Sequence, residues 1–414
     1  MVGKPLIAGI VAEFNPLHSG HASLIRKVRE AGCDAVVVVM SGNFVQRGEP
    51  ALFYKWPRAR AALACGADLV LELPLPWAAA GAERFALGAV SILSALGCVG
   101  ALAFGSENGD AAGLQRAAKA VCSPALRPLL RKKLASGIPF AAAREDAVRE
   151  LFGGETADLL REPNNILGIE YCKALNRLGS PMRPLAFLRS GSPHDAGGAP
   201  DEGEFASSSQ IRELILNGRP FSRLVPPEAG EIYRQEMDAG RAPALLKRAE
   251  TAVLAKMRCM SRGDFRDLPD VSEGLENRIY ESARAAVSLE DLYARIKSKR
   301  YPLARVRRIV LSAFLGLTAD FPRLPPYLRL LAFSEKGRRI LNTAKKTASL
   351  PIAANVSDIL SLDKTADNVF ELENRATDLY SLCTPCAEPC GLEMTCACWE
   401  RKYFFGYSDK GNKL

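Results

Sequence analysis

The chain runs to 414 residues with 48% hydrophobic and 24% charged side chains, enough for two or more buried cores. No apolar run approaches the roughly 20 residues that cross a bilayer, and no leader peptide is recognisable, so a cytoplasmic protein that contacts no membrane is expected. Lys and Arg number 55 against 46 Asp and Glu, a net charge of +9 that permits a polyanionic partner without demanding one.

Leu6–Ala12 reads as a strand, and Ala22–Glu30, with Leu24, Ile25 and Val28 at helical spacing, as a helix. Asp34–Met40, with four consecutive valines, reads as a buried strand. Trp56–Cys65 (helix), Asp68–Leu73 (strand), Glu83–Leu96 (helix) and Ala101–Phe104 (strand) continue the alternation. Fully apolar strands alternating with helices predict a parallel sheet covered on both faces. Ligands of such sheets sit beyond the carboxyl ends of the strands, where the polar loops Ser41–Gly48 and Gly105–Asn108 fall. Gly191–Gly203, rich in Gly, Pro and Asp, predicts a loop that could serve as a lid. Beyond about residue 220, amphipathic patterns at Pro227–Lys256, Gly274–Ala286, Leu289–Arg300, Leu303–Leu315 and Tyr327–Thr347 predict an all-helical domain. The expected division is therefore 1–220, 221–382 and a cysteine-rich tail, 383–414.

The first strand runs into Glu13-Phe14-Asn15-Pro16-Leu17-His18-Ser19-Gly20-His21. Two of the chain's three histidines stand in the last four positions. A helix N-terminus presents free backbone N–H groups and a positive dipole end, hence an anion site. Two imidazoles there add donors for charge that builds on a phosphoryl group, and Gly20 leaves room for phosphate to approach the backbone. Histidines on a solvated helix are the bland reading, but the strand–turn–helix context favours ATP chemistry at the α-phosphate. Further along, Ser207-Ser208-Ser209-Gln210-Ile211-Arg212 places hydroxyls and an arginine at another helix start. Alone it is an N-cap; beside His-x-Gly-His it reads as a second phosphate cradle.

The pair resembles the nucleotidylyltransferase superfamily, which implies a Rossmann-like domain and adenylyl chemistry with pyrophosphate as leaving group. A narrower resemblance is carried by Ala12–His21, Met40-Ser41-Gly42-Asn43-Phe44-Val45-Gln46-Arg47-Gly48-Glu49-Pro50, Ala67–Pro74, Phe104-Gly105-Ser106-Glu107, Pro163-Asn164-Asn165-Ile166-Leu167-Gly168, and Arg300-Tyr301 with Arg305. In their order these segments are similar to the bacterial tRNA(Met) cytidine acetate ligase family. The resemblance implies that ATP and acetate form acetyl-adenylate, and that the acetyl group passes to N4 of the wobble cytidine of elongator tRNA(Met). It implies catalytic roles for His18 and His21. It implies ATP contacts from Ile7, Glu13, Asn15, His18, Gly20, His21, Gly105, Asn165 and Arg189, joined by Ser208 and Arg212 of the second cradle. Mg²⁺ on the phosphates is expected, without a dedicated carboxylate cage. His194, in Pro193-His194-Asp195, departs from a family Tyr-His-Asp segment, which leaves its role open. Two alternatives stand: adenylation of a small phosphorylated metabolite, or a non-catalytic tRNA-binding protein.

Arg295, Lys297, Lys299, Arg300, Arg305, Arg307 and Arg308 form a run of bases with no acid between them, and Tyr301 sits at its centre. A solvated helix face is the ordinary explanation; phosphate-backbone contact with a stacking tyrosine is the functional one. Lys297, Lys299, Arg300, Tyr301, Arg305 and Arg308 are accordingly expected to bind tRNA. Nothing points to a protein partner. Cys33, Cys65, Cys98, Cys122, Cys172 and Cys259 are scattered as reduced thiols would be. Cys383, Cys386, Cys390, Cys396 and Cys398 crowd into C-x2-C-x3-C-x5-C-x-C. Zn²⁺ on four thiolates is the first reading of that cluster, with an iron–sulfur cluster as a lesser alternative and a metal-free tail as the ordinary explanation.

Overall fold

The computed structural model describes residues 5–189, 205–272 and 274–400. The expected lid loop and His194 lie outside the described residues. The alternation read from the first third is realised as β1 (Ile7–Ala12), α1 (Ser19–Glu30), β2 (Ala35–Ser41), α2 (Lys55–Ala64), β3 (Leu69–Leu73), α3 (Ala82–Ala95) and β4 (Ala101–Ser106). A helical excursion ends in α4 (Pro163–Leu178), followed by β5 (Arg183–Leu188) and α5 (Ser208–Leu216). Strands β1 to β5 pair in parallel in the order β3-β2-β1-β4-β5.

Strand periodicity explains the layers. Val37 and Val39 of β2 face one core with Phe85, Val90 and Leu93 of α3. Val36, Val38 and Met40 face the opposite core with Ile25 and Val28 of α1 and Ala59 and Leu63 of α2. A third core belongs to the helical half, where Val253, Met257, Leu292, Val306 and Val310 pack with Phe44 and Tyr54 from the loops after β2. Among the described residues no helix is long and apolar enough to cross a membrane.

The second half departs from the all-helical expectation. Tyr327–Thr347 splits into β6 (Leu328–Phe333) and a helix, Glu335–Thr347. β6 joins the sheet antiparallel to β3, and β7 (Ile352–Ala353) and β8 (Trp399–Glu400) pair in parallel with β6. Leu-Arg-Leu-Leu-Ala-Phe suits helix or strand by periodicity alone; the open edge of β3 decides. The helix behind it is pressed so close that a Cβ on Gly337 would lie 2.0 Å from the carbonyl oxygen of Asp68. Residues 328–353 therefore complete the first layer rather than the helical domain. Pro227–Lys256 is likewise interrupted, into Pro227–Asp238, a 3-10 turn at Leu246–Ala249 and Glu250–Arg258. Pro243 stands in the gap, where a proline cannot continue a helix.

The described part of the expected cysteine-rich tail, residues 383–400, is built into the fold. Helix Lys364–Ser381 is followed by a short turn of helix at Leu392–Thr395 and then by β8. Glu393 on that short turn is fully buried. Its carboxylate meets the Lys55 ammonium, the Thr377 hydroxyl at 2.6 Å and Arg329 Nη2 at 2.6 Å. Lys55 also pairs with Glu72 at 2.6 Å. The cysteines do not converge: among the described residues no three of their sulfurs come within ligand distance of one another. Cys383 is buried against the helical core, Cys386 and Cys390 are exposed, and Cys398 packs toward the sheet. The donor set therefore does not fit zinc, because no three of the thiols converge among the described residues.

Three carboxylates, Glu72, Glu373 and Glu393, share this buried space with two cations, Lys55 and Arg329. Burial, with Glu72 and Glu393 beside it, pushes Glu373 up to about 8 against the opposing pull of Lys55. Burial would raise Glu393 as well, but Lys55 and Arg329 hold it below its ordinary value. A carboxyl raised in the folded state stabilises most below its unfolded value of 4.5, and that contribution fades as pH climbs to about 8. Urea unfolding should therefore show stability falling across this window, and Glu373→Gln should remove that part of the slope.

Candidate active site

The site begins with an arginine. Arg58, on the first turn of α2, is fully buried. Its Nε donates to the Phe53 carbonyl at 2.9 Å, Nη1 to Glu13 at 2.5 Å, and Nη2 to Ser41 at 3.1 Å and to Gly42. The Glu13, Ser41 and Gly42 carbonyls lie at the ends of β1 and β2, where strand partners run out, and that of Phe53 lies just before α2. One guanidinium thus fixes the two loops that open toward the cleft. Phe14 takes a left-handed φ of +48°, turning the chain sharply after β1. Asn15 Oδ1 accepts from the Leu52 N–H at 2.8 Å, and the Tyr233 hydroxyl accepts from the Leu17 N–H at 3.0 Å.

Beyond this turn lies a cleft of about 390 Å³ at the carboxyl ends of β1, β4 and β5. One wall is apolar, with Phe85, Phe104, Leu167 and Phe187. The other carries His18, His21, Arg47, Ser208 and Arg212, while Arg189 sits beside the apolar residues against Gly105 and Asn164. An apolar slot with a cationic end suits a nucleotide, base against the first and phosphates against the second.

The two histidines are set by the helix start. His18 Nδ1 accepts from the Gly20 N–H at 3.1 Å, and His21 Nδ1 from the His18 N–H at 3.3 Å. Their ring centroids are 3.9 Å apart, with Phe14 edge-on to His21 at 5.0 Å. With Nδ1 accepting, the proton of each neutral imidazole resides on Nε2, so each ring offers a donor. The expected role of the bare helix N-terminus is corrected here. The Ser19 N–H donates to the Leu224 carbonyl at 3.1 Å and the Gly20 N–H is taken by His18. Gly20 makes room for the His18 imidazole, since a Cβ there would lie 2.9 Å from His18 Cε1.

Arg212 reaches back across the cleft: Nη1 donates to the Asn15 carbonyl and Nη2 to Ser209 Oγ, both at 2.9 Å. Ser207 caps α5, accepting from the Gln210 N–H at 3.2 Å, and so leaves Ser208 and Ser209 in the cleft wall. Arg189 Nη1 donates to Asn164 Oδ1 at 3.0 Å. Gly105 seats the Arg189 stem, which a Cβ would meet at 3.0 Å. Burial lowers the proton affinity of both arginines, against the pull of Glu107 on Arg189 and of Glu49 and Glu13 on Arg212.

Most sequence-predicted residues therefore gather here, with exceptions. Ile7 is buried at the far end of β1 and does not line the cleft. Asn165 is buried too, its Oδ1 accepting from the Glu107 N–H at 3.1 Å; its neighbour Asn164 faces the cleft instead. Arg47, Lys27 and Ser209 line the cleft without having been singled out as ATP contacts. In the basic run, Lys297, Lys299 and Arg300 are exposed. Tyr301 is only 8% exposed and belongs to the helical core, so it is not a stacking surface. Arg305 donates to the Asp270 carbonyl and Ser272, Arg308 pairs with Asp270 at 2.7 Å, and Arg307 pairs with Glu49. Arg305 and Arg308 tie the helix to the Asp270–Ser272 loop within the helical half, and Arg307 links it to the loop after β2, uses that a linear run of charges does not reveal.

Such a sheet, with paired imidazoles at the first helix and a hydroxyl–arginine cradle opposite, defines a nucleotidyl transferase. The family model described as HIGH Nucleotidyl Transferase matches residues 6–391. The tRNA(Met) cytidine acetate ligase of Acetivibrio thermocellus is 37% identical over 94% of this chain and 98% of its own length. That of Syntrophomonas wolfei is 39% identical over 92% and 95%. The crystal structure of Thermotoga maritima TmcAL bound with alpha-thio ATP superposes with a TM-score of 0.88 at 33% identity, covering 95% of this chain and 99% of that one. The apo form of the same protein gives 0.90. The chain belongs to the tRNA(Met) cytidine acetate ligase family.

Arg58→Lys retains the charge but not the planar fork that reaches four carbonyls. It should lower the melting temperature and speed amide exchange across residues 13–16 and 41–47. Unchanged protection in those segments would remove Arg58 as the clamp.

Proposed function

We propose that this chain uses ATP to activate acetate as acetyl-adenylate and then acetylates N4 of the wobble cytidine of elongator tRNA(Met). The observation that carries the reading is the cleft itself: two Nε2–H donors and Arg189 and Arg212 face an apolar slot of nucleotide size. Its support is the family of relatives named tRNA(Met) cytidine acetate ligase and the neighbour solved with alpha-thio ATP.

Attack of acetate on the α-phosphate needs no base, because acetate is ionised at neutral pH. It needs alignment and charge neutralisation. His18 and His21 donate to phosphoryl oxygens as negative charge builds, and Arg189 and Arg212 hold the rest of the phosphate chain. Mg²⁺ would ride on the phosphates and neutralise the leaving pyrophosphate. One carboxylate, Glu13, is the only acid in the cleft wall among the described residues, and Arg47, Arg58 and Arg212 surround it. The exposed Lys297, Lys299 and Arg300 would meet tRNA phosphates.

ATP–pyrophosphate exchange should require acetate and proceed without tRNA; exchange driven by a phosphorylated metabolite instead would overturn the acetate reading. His18→Ala and His21→Ala should each slow exchange on the order of 10²-fold, the usual loss for a transition-state donor. Replacing Lys297, Lys299 and Arg300 by Glu should weaken tRNA binding and flatten the log K against log salt plot by about 0.7–0.9 per lost phosphate contact.

A further inference from the structure

The two halves of the proposed reaction differ in one requirement. Acetate arrives at the α-phosphate without a proton to lose. The exocyclic amine of cytidine is a weak nucleophile, its lone pair delocalised into the ring, and must shed a proton as it bonds to an acyl carbon. The transfer step therefore calls for a proton acceptor in the same cleft.

The hydrogen-bond pattern rules the histidines out of that role. Each has Nδ1 occupied by a backbone N–H, at 3.1 Å for His18 and 3.3 Å for His21, so its remaining nitrogen is a donor. For either ring to accept a proton at Nε2, it would have to give up its backbone bond and change tautomer. Tyr171, also in the wall, is buried and its phenol is driven far above its ordinary value. Lysine and arginine side chains supply cations. Glu13 is left, as the only carboxylate lining the cleft among the described residues.

Its setting suits the task. Glu13 follows directly on β1, whose end Arg58 clamps through the Glu13 carbonyl. Its Oε1 accepts the Gln46 N–H at 2.8 Å, which fixes the carboxylate's orientation. Among the described residues no group donates to Oε2, and the side chain is half-buried in the cleft wall. A carboxylate set among cations in a cleft, with its proton affinity shifted by burial, is a candidate for a functional role.

We propose that Glu13 is the general base of acyl transfer, taking the N4 proton of cytidine as N4 bonds to the acetyl carbon. The inference rests on the acetate-ligase reading of the cleft. The N4 lone pair forms the C–N bond, and the tetrahedral adduct collapses by breaking the acyl C–O bond. AMP leaves with that electron pair as a phosphate monoester. The proton lost from N4 rests on Oε2 until water removes it when the products depart. Burial raises the proton affinity of the carboxyl above the ordinary value, against the opposing bond from Gln46 and the fields of Arg212, Arg47 and Arg58.

Glu13→Gln tests this, because the amide oxygen can still accept the Gln46 N–H. Acetate-dependent pyrophosphate exchange reports the first half of the reaction. Rapid-quench transfer from synthetic acetyl-adenylate to tRNA(Met) reports the second. In Glu13→Gln the ratio of transfer to exchange should fall about 10²-fold or more, and acetyl-adenylate should accumulate on the enzyme. The wild-type transfer rate should rise with pH as the carboxyl ionises, and the variant should lose that rise. Glu13→Asp should recover part of the transfer rate. Equal loss in both half-reactions would overturn the proposal, showing that Glu13 only orders the Gln46–Arg47 loop; so would transfer at the wild-type rate. Absence of acetate-dependent exchange in the wild-type protein would instead overturn the acetate-ligase reading, so the two failures are separable.

Discussion

Two buried cations one helical turn apart organise this molecule. Lys55 and Arg58 stand on the first turn of α2, each fully withdrawn from water. Withdrawing a charge from water is tolerable only where partners surround it. Arg58 finds carbonyls at the ends of β1 and β2, and so holds the loops that carry Glu13, Asn15 and Gln46. Lys55 finds Glu72 on β3 and Glu393 from the C-terminal segment. One turn of helix therefore binds the rim of the cleft to the closing segment of the chain. Removing one partner would strand a charge, which is a larger penalty than the loss of a surface pair.

The cleft follows the same economy of donors and acceptors. Nearly every polar group in its wall is a donor or a cation, in keeping with anionic ligands. The imidazoles are held as donors by backbone N–H groups of their own helix turn, which makes His-x-Gly-His a self-contained device. Glycine at its third position allows the first ring to fold over the turn. Arginines at 189 and 212 are braced by Asn164 and Ser209, so their heads are oriented before any ligand arrives.

The helical half is attached by apolar packing on Phe44 and Tyr54 and by an ion pair. Glu49 of the loop after β2 pairs with Arg307. A Cβ on Gly48, whose φ of +77° already favours glycine, would lie 2.5 Å from the Arg308 backbone. The loop that carries Gln46 and Arg47 into the cleft is thus also the seat of the helical half.

By itself the sequence determined the repeating strand–helix units, because four valines in a row or a Leu-Val-Leu core can satisfy period and burial in only a few ways. It also determined the histidine turn, whose two imidazoles are held by backbone N–H groups of their own turn, and the Ser207 cap of α5, while Arg212 found its partner in Asn15 only through the fold. What lay beyond it depended on distant partners. Leu328–Phe333 became a strand because β3 had an open edge. Tyr301 became core because the helices closed over it, and Asn165 was drawn beneath the cleft by Glu107. The cysteines of 383–398 look like ligands when spacing alone is considered, yet packing sends their sulfurs apart. Glu393, an unremarkable acid among them, instead closes a buried ion network with Lys55, more than three hundred positions away. Local pattern encodes elements and short motifs; which charge meets which across the fold is settled only when the layers pack and water is excluded.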